Sequence, residues 1–144
     1  MAVVSTVSNH LKYQVMKKQI DFDADEFRMI LMKDTFAFDK DTHNNYLAVS
    51  GEEIPTGYGY TARGIVLLSG ELTEDDTNDK GKMVWSYNPT WTASGGSIGP
   101  AGAAVIFDED STDNTVVGVI DFGEDLTATE GLSIQVMSGE VSLA

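Results

Sequence analysis

The chain contains no cysteine and only two histidines in 144 residues. Without thiols, disulfides and thiolate metal centres are excluded, so stability has to come from packing or from association. His10 and His43 lie far apart in sequence, and a zinc centre built on either would need an unusual, mostly carboxylate ligand set. Basic residues are scarce as well: nine Lys and Arg face 23 Asp and Glu, a formal net charge of −14. They are also unevenly spread. Residues 1–20 carry Lys12, Lys17 and Lys18 and no acid, a balance of +3, whereas residues 21–144 carry six bases against 23 acids, a balance of −17. Phosphate binding needs clustered cations that release counterions, so no nucleic-acid partner is expected. Long apolar runs are missing too. No stretch approaches the ~20 residues of a membrane helix, and the N-terminus shows none of the charged, apolar and cleavable parts of a signal peptide. The expectation is a soluble chain with no membrane partner.

What is present is a 42% hydrophobic composition, enough for one globular domain with a real core. Its centre is the stretch Ala101 to Gly123. Ala103, Ala104, Val105, Ile106 and Phe107 form one apolar run, and Val116, Val117, Gly118, Val119 and Ile120 a second, both rich in residues that strands favour. Unbroken runs of this kind predict strands covered on both faces. Asp108 to Asn114 between them suits a hairpin loop longer than a two-residue turn.

Elsewhere the pattern is looser. Ser8 or Asn9 is positioned to cap a short helix with Leu11, Val15 and Met16 on one side. Phe27 to Lys33 reads as the first core strand, Phe36 to Ser50 as a long loop with one helical turn, and Ile65 to Leu68 as a strand. Glu71 to Lys82, polar throughout, reads as an exposed loop. Met83 to Tyr87 alternates, Ser94 to Gly102 reads as a Gly-rich connection, and Glu124 to Gly131 as a turn before strands around Ile134 and Val141. Six to eight short strands with Gly-marked turns predict an all-β domain, a β-sandwich or jelly roll over residues 21–144, preceded by an N-terminal helix or arm over residues 1–20.

Residue patterns that carry chemistry are weak. Gly57-Tyr58-Gly59-Tyr60-Thr61-Ala62 fits the loose form of a dinucleotide loop, but it follows Pro55 and precedes Ile65-Val66 rather than linking a strand to a helix, so it reads as a turn. Asp21, Asp23 and Asp25 match the start of a calcium loop, yet Glu26 replaces the required Gly and Met32 the bidentate Glu, which excludes an EF-hand. These acids, and Asp108, Glu109, Asp110 and Asp113, admit two readings, a solvated acidic loop and a looser calcium site. Either histidine could join a spatial triad, but nothing marks a nucleophile. No catalytic residue, cofactor or metal ligand is assigned, and the chain is read as non-enzymatic. Trp85 reads as core, while Tyr58 and Tyr60, flanked by glycines, are candidate exposed contacts.

Several stretches together, Gly57 to Gly64, Trp85 in its short strand, Ala103-Ala104-Val105-Ile106 and Val119-Ile120-Asp121-Phe122-Gly123, resemble small structural proteins of tailed bacteriophages over most of residues 10–144. The resemblance implies a non-enzymatic virion component without catalytic residues to carry over. Within that class the first expectation is a capsid decoration (cement) protein on the outer shell, a homo-oligomer with the major capsid protein as partner. The alternatives are a neck, tail or baseplate component, or a carbohydrate- or receptor-binding module using Tyr58, Tyr60 or Trp91. The candidate assembly contacts are Leu11, Lys12, Val15, Met16, Lys17, Lys18, Tyr58 and Tyr60.

Overall fold

Two long antiparallel strands, β8 (Ile98–Asp108) and β9 (Val116–Ala128), form the central hairpin of a computed structural model that describes residues 2–144. The apolar runs do what their pattern predicts, since Ala103 to Phe107 and Val116 to Ile120 are buried throughout. The third central strand is β3 (Phe27–Lys33), antiparallel to β8 and matching the sequence reading at both ends. Its successive residues serve opposite faces, as the two-residue period of a strand requires. Phe27, Met29 and Leu31 join the main core, while Ile30 and Met32 join a smaller one with Val105, Phe107 and Val119.

Edge strands complete this five-stranded sheet in the order β2 (Thr6–Val7), β9, β8, β3, β4 (Ile65–Val66). At the β2 edge the backbones come very close: a Cβ on Gly118 would lie 2.3 Å from the Thr6 carbonyl oxygen, so only glycine fits there. A four-stranded sheet has the order β1 (Ala2–Val3), β11 (Gly139–Leu143), β6 (Lys80–Trp85), β5 (Gly70–Asp75). A third sheet pairs only β7 (Thr90–Thr92) with β10 (Ser133–Gln135). Met83, Trp85 and Val141 of the second sheet and Trp91 and Ile134 of the third meet Met29, Leu31, Ala104 and Ile106 in the main core.

Two small helices complete the domain. α1 (Asn9–Met16) starts where Ser8 accepts the Leu11 N–H at 3.0 Å, and the same hydroxyl donates to the Val116 carbonyl at 2.5 Å, tying the helix to β9. α2 (Tyr46–Val49), capped by Asn45, runs into a single 3-10 turn at Ser50–Glu52. Among the described residues no helix is long and apolar enough to cross a membrane.

This architecture corrects the expected fold class. The domain is mixed α/β with three open sheets, none closed on itself, and not an all-β sandwich or jelly roll. Strand-like segments were visible in the sequence, but their division among sheets depends on long-range register, as in the parallel pairing of Ala2 with Gly139. Three local readings change as well. Glu71 to Lys82 is a β5–β6 hairpin and not a loop, β8 begins at Ile98 inside the Gly-rich stretch, and β9 continues past Gly123 to Ala128. Residues 2–20 run through β1, β2 and α1, giving one strand to each large sheet.

Candidate functional site

The β2 edge carries most of the candidate contacts. Leu11 is fully buried beneath α1, whereas Lys12, Met16, Lys17 and Lys18 are exposed and Val15 is half-buried. Lys12 and Met16 are one helical turn apart and share a face. Together with Val7, Val15, Lys40 and Leu143 they line a cleft of about 600 Å³. A second cleft, of about 730 Å³, opens on the other side of Ser5 and Thr6, which belong to both. Its polar groups are Asp34, Asp121, Glu124 and Asp125, and Phe36 and Phe38 stand in its wall. Phe36 stacks on His43 at 5.2 Å between ring centres, and His43 Nδ1 accepts the Asp39 N–H at 2.9 Å, so this imidazole braces the aromatic wall.

The Gly57–Tyr60 segment is a tight turn, as the sequence reading has it: Gly57 and Tyr60 exchange backbone hydrogen bonds of 2.8 and 3.1 Å. Tyr58 and Gly59 both take positive φ, and a Cβ on Gly59 would lie 2.1 Å from the Thr92 carbonyl oxygen. The turn sends its two tyrosines apart. Tyr58 is exposed and lies over Gly95 and Gly96, whereas Tyr60 is buried in the main core beside Trp91. Trp85 and Trp91 are core residues.

Tyr60 reaches a buried carboxylate that the sequence did not reveal. Glu53 Oε2 accepts from the Tyr60 hydroxyl at 2.6 Å and from the Arg63 N–H at 2.9 Å, and Oε1 accepts from the Tyr46 hydroxyl. The Tyr60 oxygen in turn accepts the Leu31 N–H at 3.0 Å. Burial, and then the neighbouring Glu53, push the Tyr46 phenol up to about 12 and raise that of Tyr60 further. Arg63 lies over the rings of Tyr46 and Phe107 and donates to Glu109 at 2.7 Å and Asn114 at 3.1 Å. Every Glu53 oxygen is satisfied, so this network pins the segment from Tyr46 to Gly64 onto β3 and is built for rigidity.

The two acidic segments meet. Asp21 Oδ1 accepts the N–H groups of Asp23 and Ala24, closing its turn, and Asp110 Oδ2 accepts the Glu26 N–H at 2.7 Å. Asp108 is fully buried; its Oδ1 accepts from the Asp110 and Ser111 N–H groups, while Oδ2 has no donor and faces Asp25. Burial, and then the Asp25 carboxylate, push the Asp108 carboxyl up to about 8. Among the described residues no three of His, Asp and Glu converge to hold a metal ion. His10 Nε2 sits 2.7 Å from Asp113, which also accepts from Thr115 at 2.5 Å, so this histidine fastens α1 to the β8–β9 loop.

No protein-family model, no curated protein and no solved structure matches the chain. The sequence singled out the basic side of the β2 edge but not the acidic cleft or the Glu53 network. Phe36 and Phe38 sit in the stretch that reads as loop, Asp34 falls between it and β3, and of the β9 acids Glu124 and Asp125 follow Gly123, where the strand pattern breaks.

Proposed function

We propose that this chain is a non-enzymatic assembly protein of a tailed-bacteriophage virion, a capsid decoration protein seated on the outer shell against the major capsid protein. The observation that carries the assembly reading is the β2 edge, where an exposed Lys12–Met16 helix face lies beside a cleft whose carboxylates form no ion pair among the described residues. Met16 is 86% exposed and shares its helix face with Lys12, so an apolar and a cationic group are offered together. The polar networks around Glu53 and Asp108 fasten loops to strands and that around His10 fastens α1 to a loop, which suits a part whose work is to keep its shape. The virion placement rests on the sequence resemblance, and the acidic remainder of the surface agrees with an outward face that stays soluble. Quantitative mass spectrometry of purified particles tests it. Hundreds of copies per particle are the expected result, a few dozen or fewer would move the protein to the neck or tail, and absence from particles would overturn the reading.

A further inference from the structure

The two clefts at the β2 edge have opposite character and a common border. On one side Lys12, Met16 and Val15 project from α1, and on the other lie Asp34, Asp121, Glu124 and Asp125 with Phe36 and Phe38. Among the described residues Lys12 forms no ion pair, and neither do these four acids. Lys40 is the exception on the basic side, paired with Asp41 at 3.1 Å. Neither cleft satisfies the other within one molecule, although both include Ser5 and Thr6.

We infer that this face binds a second copy of the chain in a two-fold dimer whose axis passes close to Ser5 and Thr6. Complementary patches that adjoin one another exchange places when the molecule is rotated by half a turn about their shared border. A head-to-tail chain would instead need the patches on well-separated faces. In the dimer, the exposed end of α1 of each copy enters the acidic cleft of the other. Lys12, with Lys17 and Lys18 behind it, meets the carboxylates, and Met16 meets the Phe36 and Phe38 rings, a contact that a flexible thioether makes well. The arrangement uses β2, the edge strand of the five-stranded sheet, as its centre and so also covers a sheet edge. This inference stands independently of the virion placement, since it concerns the isolated protein.

Sedimentation equilibrium of the full chain tests it, read across a salt series from about 50 to about 500 mM, over which charge pairing at a partly exposed interface weakens. The expected result is a species of twice the chain mass whose dissociation constant rises at least about tenfold with salt. Two variants change exposed residues only. Lys12→Glu with Met16→Asp puts two acids where the helix face meets the carboxylates, and Glu124→Lys with Asp125→Lys removes the negative charge of the cleft by setting two bases against Asp34 and Asp121; each alone should sediment as a monomer while keeping the parent circular dichroism spectrum. Mixed one to one, they should regain a heterodimer and stop at two chains. A monomeric parent protein, variants that still dimerise, or a mixture that stays monomeric would each overturn the inference, and mass that keeps growing with concentration would replace the two-fold arrangement with a head-to-tail one.

Discussion

The Tyr60 hydroxyl donates to Glu53 Oε2 at 2.6 Å while accepting the Leu31 N–H at 3.0 Å, so one phenol links a loop carboxylate to the backbone of a central strand. Two groups buried in the molecule are satisfied by each other, and neither has water as an alternative partner. Such pairs cost little when complete and a great deal when broken.

Glu53→Ala therefore leaves the hydroxyls of Tyr60 and Tyr46 and the Arg63 N–H without their acceptor. At roughly 1 to 3 kcal/mol for each buried group left unsatisfied, and with Tyr46 partly hydrated, the expected loss is about 3 kcal/mol. Tyr60→Phe, which removes one hydroxyl, should lose about half as much. Urea unfolding measures both, and a Glu53→Ala protein within about 0.5 kcal/mol of the parent would show that the network is not structural.

The same loop makes a backbone prediction. Gly59 has a φ of +103° and lies against the Thr92 carbonyl, so Gly59→Ala combines a strained conformation with a clash against main chain. A loss of at least about 2 kcal/mol is expected. Gly51, with open space around its Cα and no positive φ, is the control: Gly51→Ala should be neutral or slightly stabilising. Equal thermal midpoints for the two variants would contradict the turn geometry.

How much of this was legible beforehand varies with burial. Ala103 to Phe107, Val116 to Ile120 and Met29 to Met32 stand out in the sequence because their side chains are covered on both faces, which leaves unbroken apolar runs. A helix cap at Ser8 or Asn9 was legible because capping is local chemistry, and Ser8 is the one that accepts the Leu11 N–H. By contrast, β5 is exposed along almost its whole length, so Gly70 to Asp75 is polar and has no core face to betray a strand. Sheet membership was illegible because it is fixed by pairings such as Val3 with Glu140, nearly the full chain apart. Glu53 lay hidden among ordinary loop polar residues. Asp108 did carry a signal: it follows Phe107 directly at the end of a buried run, where strand pairing with Phe27 carries it inside.

The N-terminal segment is expected to be part of the folding unit. Deleting residues 1–19 removes β1 from β11, β2 from β9 and the fully buried Leu11 from the main core. The truncated chain should lose cooperative thermal unfolding and expose apolar surface, detected by dye binding. A truncated protein that stays soluble and melts within a few degrees of the parent would show instead that residues 1–19 act as a separable arm.

The last prediction concerns Asp108 and pH. Its side chain is buried with Oδ2 toward Asp25, its other oxygen is held by the N–H groups of Asp110 and Ser111, and Asp110, Glu26 and Glu109 add further negative charge nearby. Burial first, and Asp25 second, raise its folded pKa to about 8 from an ordinary value of 3.8. A raised folded pKa means that the native state holds the proton more tightly than the unfolded chain does. The stabilisation is therefore fully present below the ordinary carboxylate range and is lost as pH rises toward about 8. Asp108→Asn fixes the neutral form: its amide oxygen still accepts the two N–H groups, and its amide nitrogen donates to Asp25. Between about pH 5 and about pH 9 the parent protein should lose at least roughly 1 kcal/mol more stability than Asp108→Asn, which becomes the more stable protein at the alkaline end. Taking the difference between the two proteins cancels the repulsion of the acidic surface, which both share. Asp76→Asn, in the exposed β5–β6 turn, is the control and should follow the parent profile. If Asp108→Asn instead tracks the parent across the whole range, burial does not raise the Asp108 carboxyl, and the contact between the two acidic segments rests on the hydrogen bonds from the Glu26 and Glu109 N–H groups.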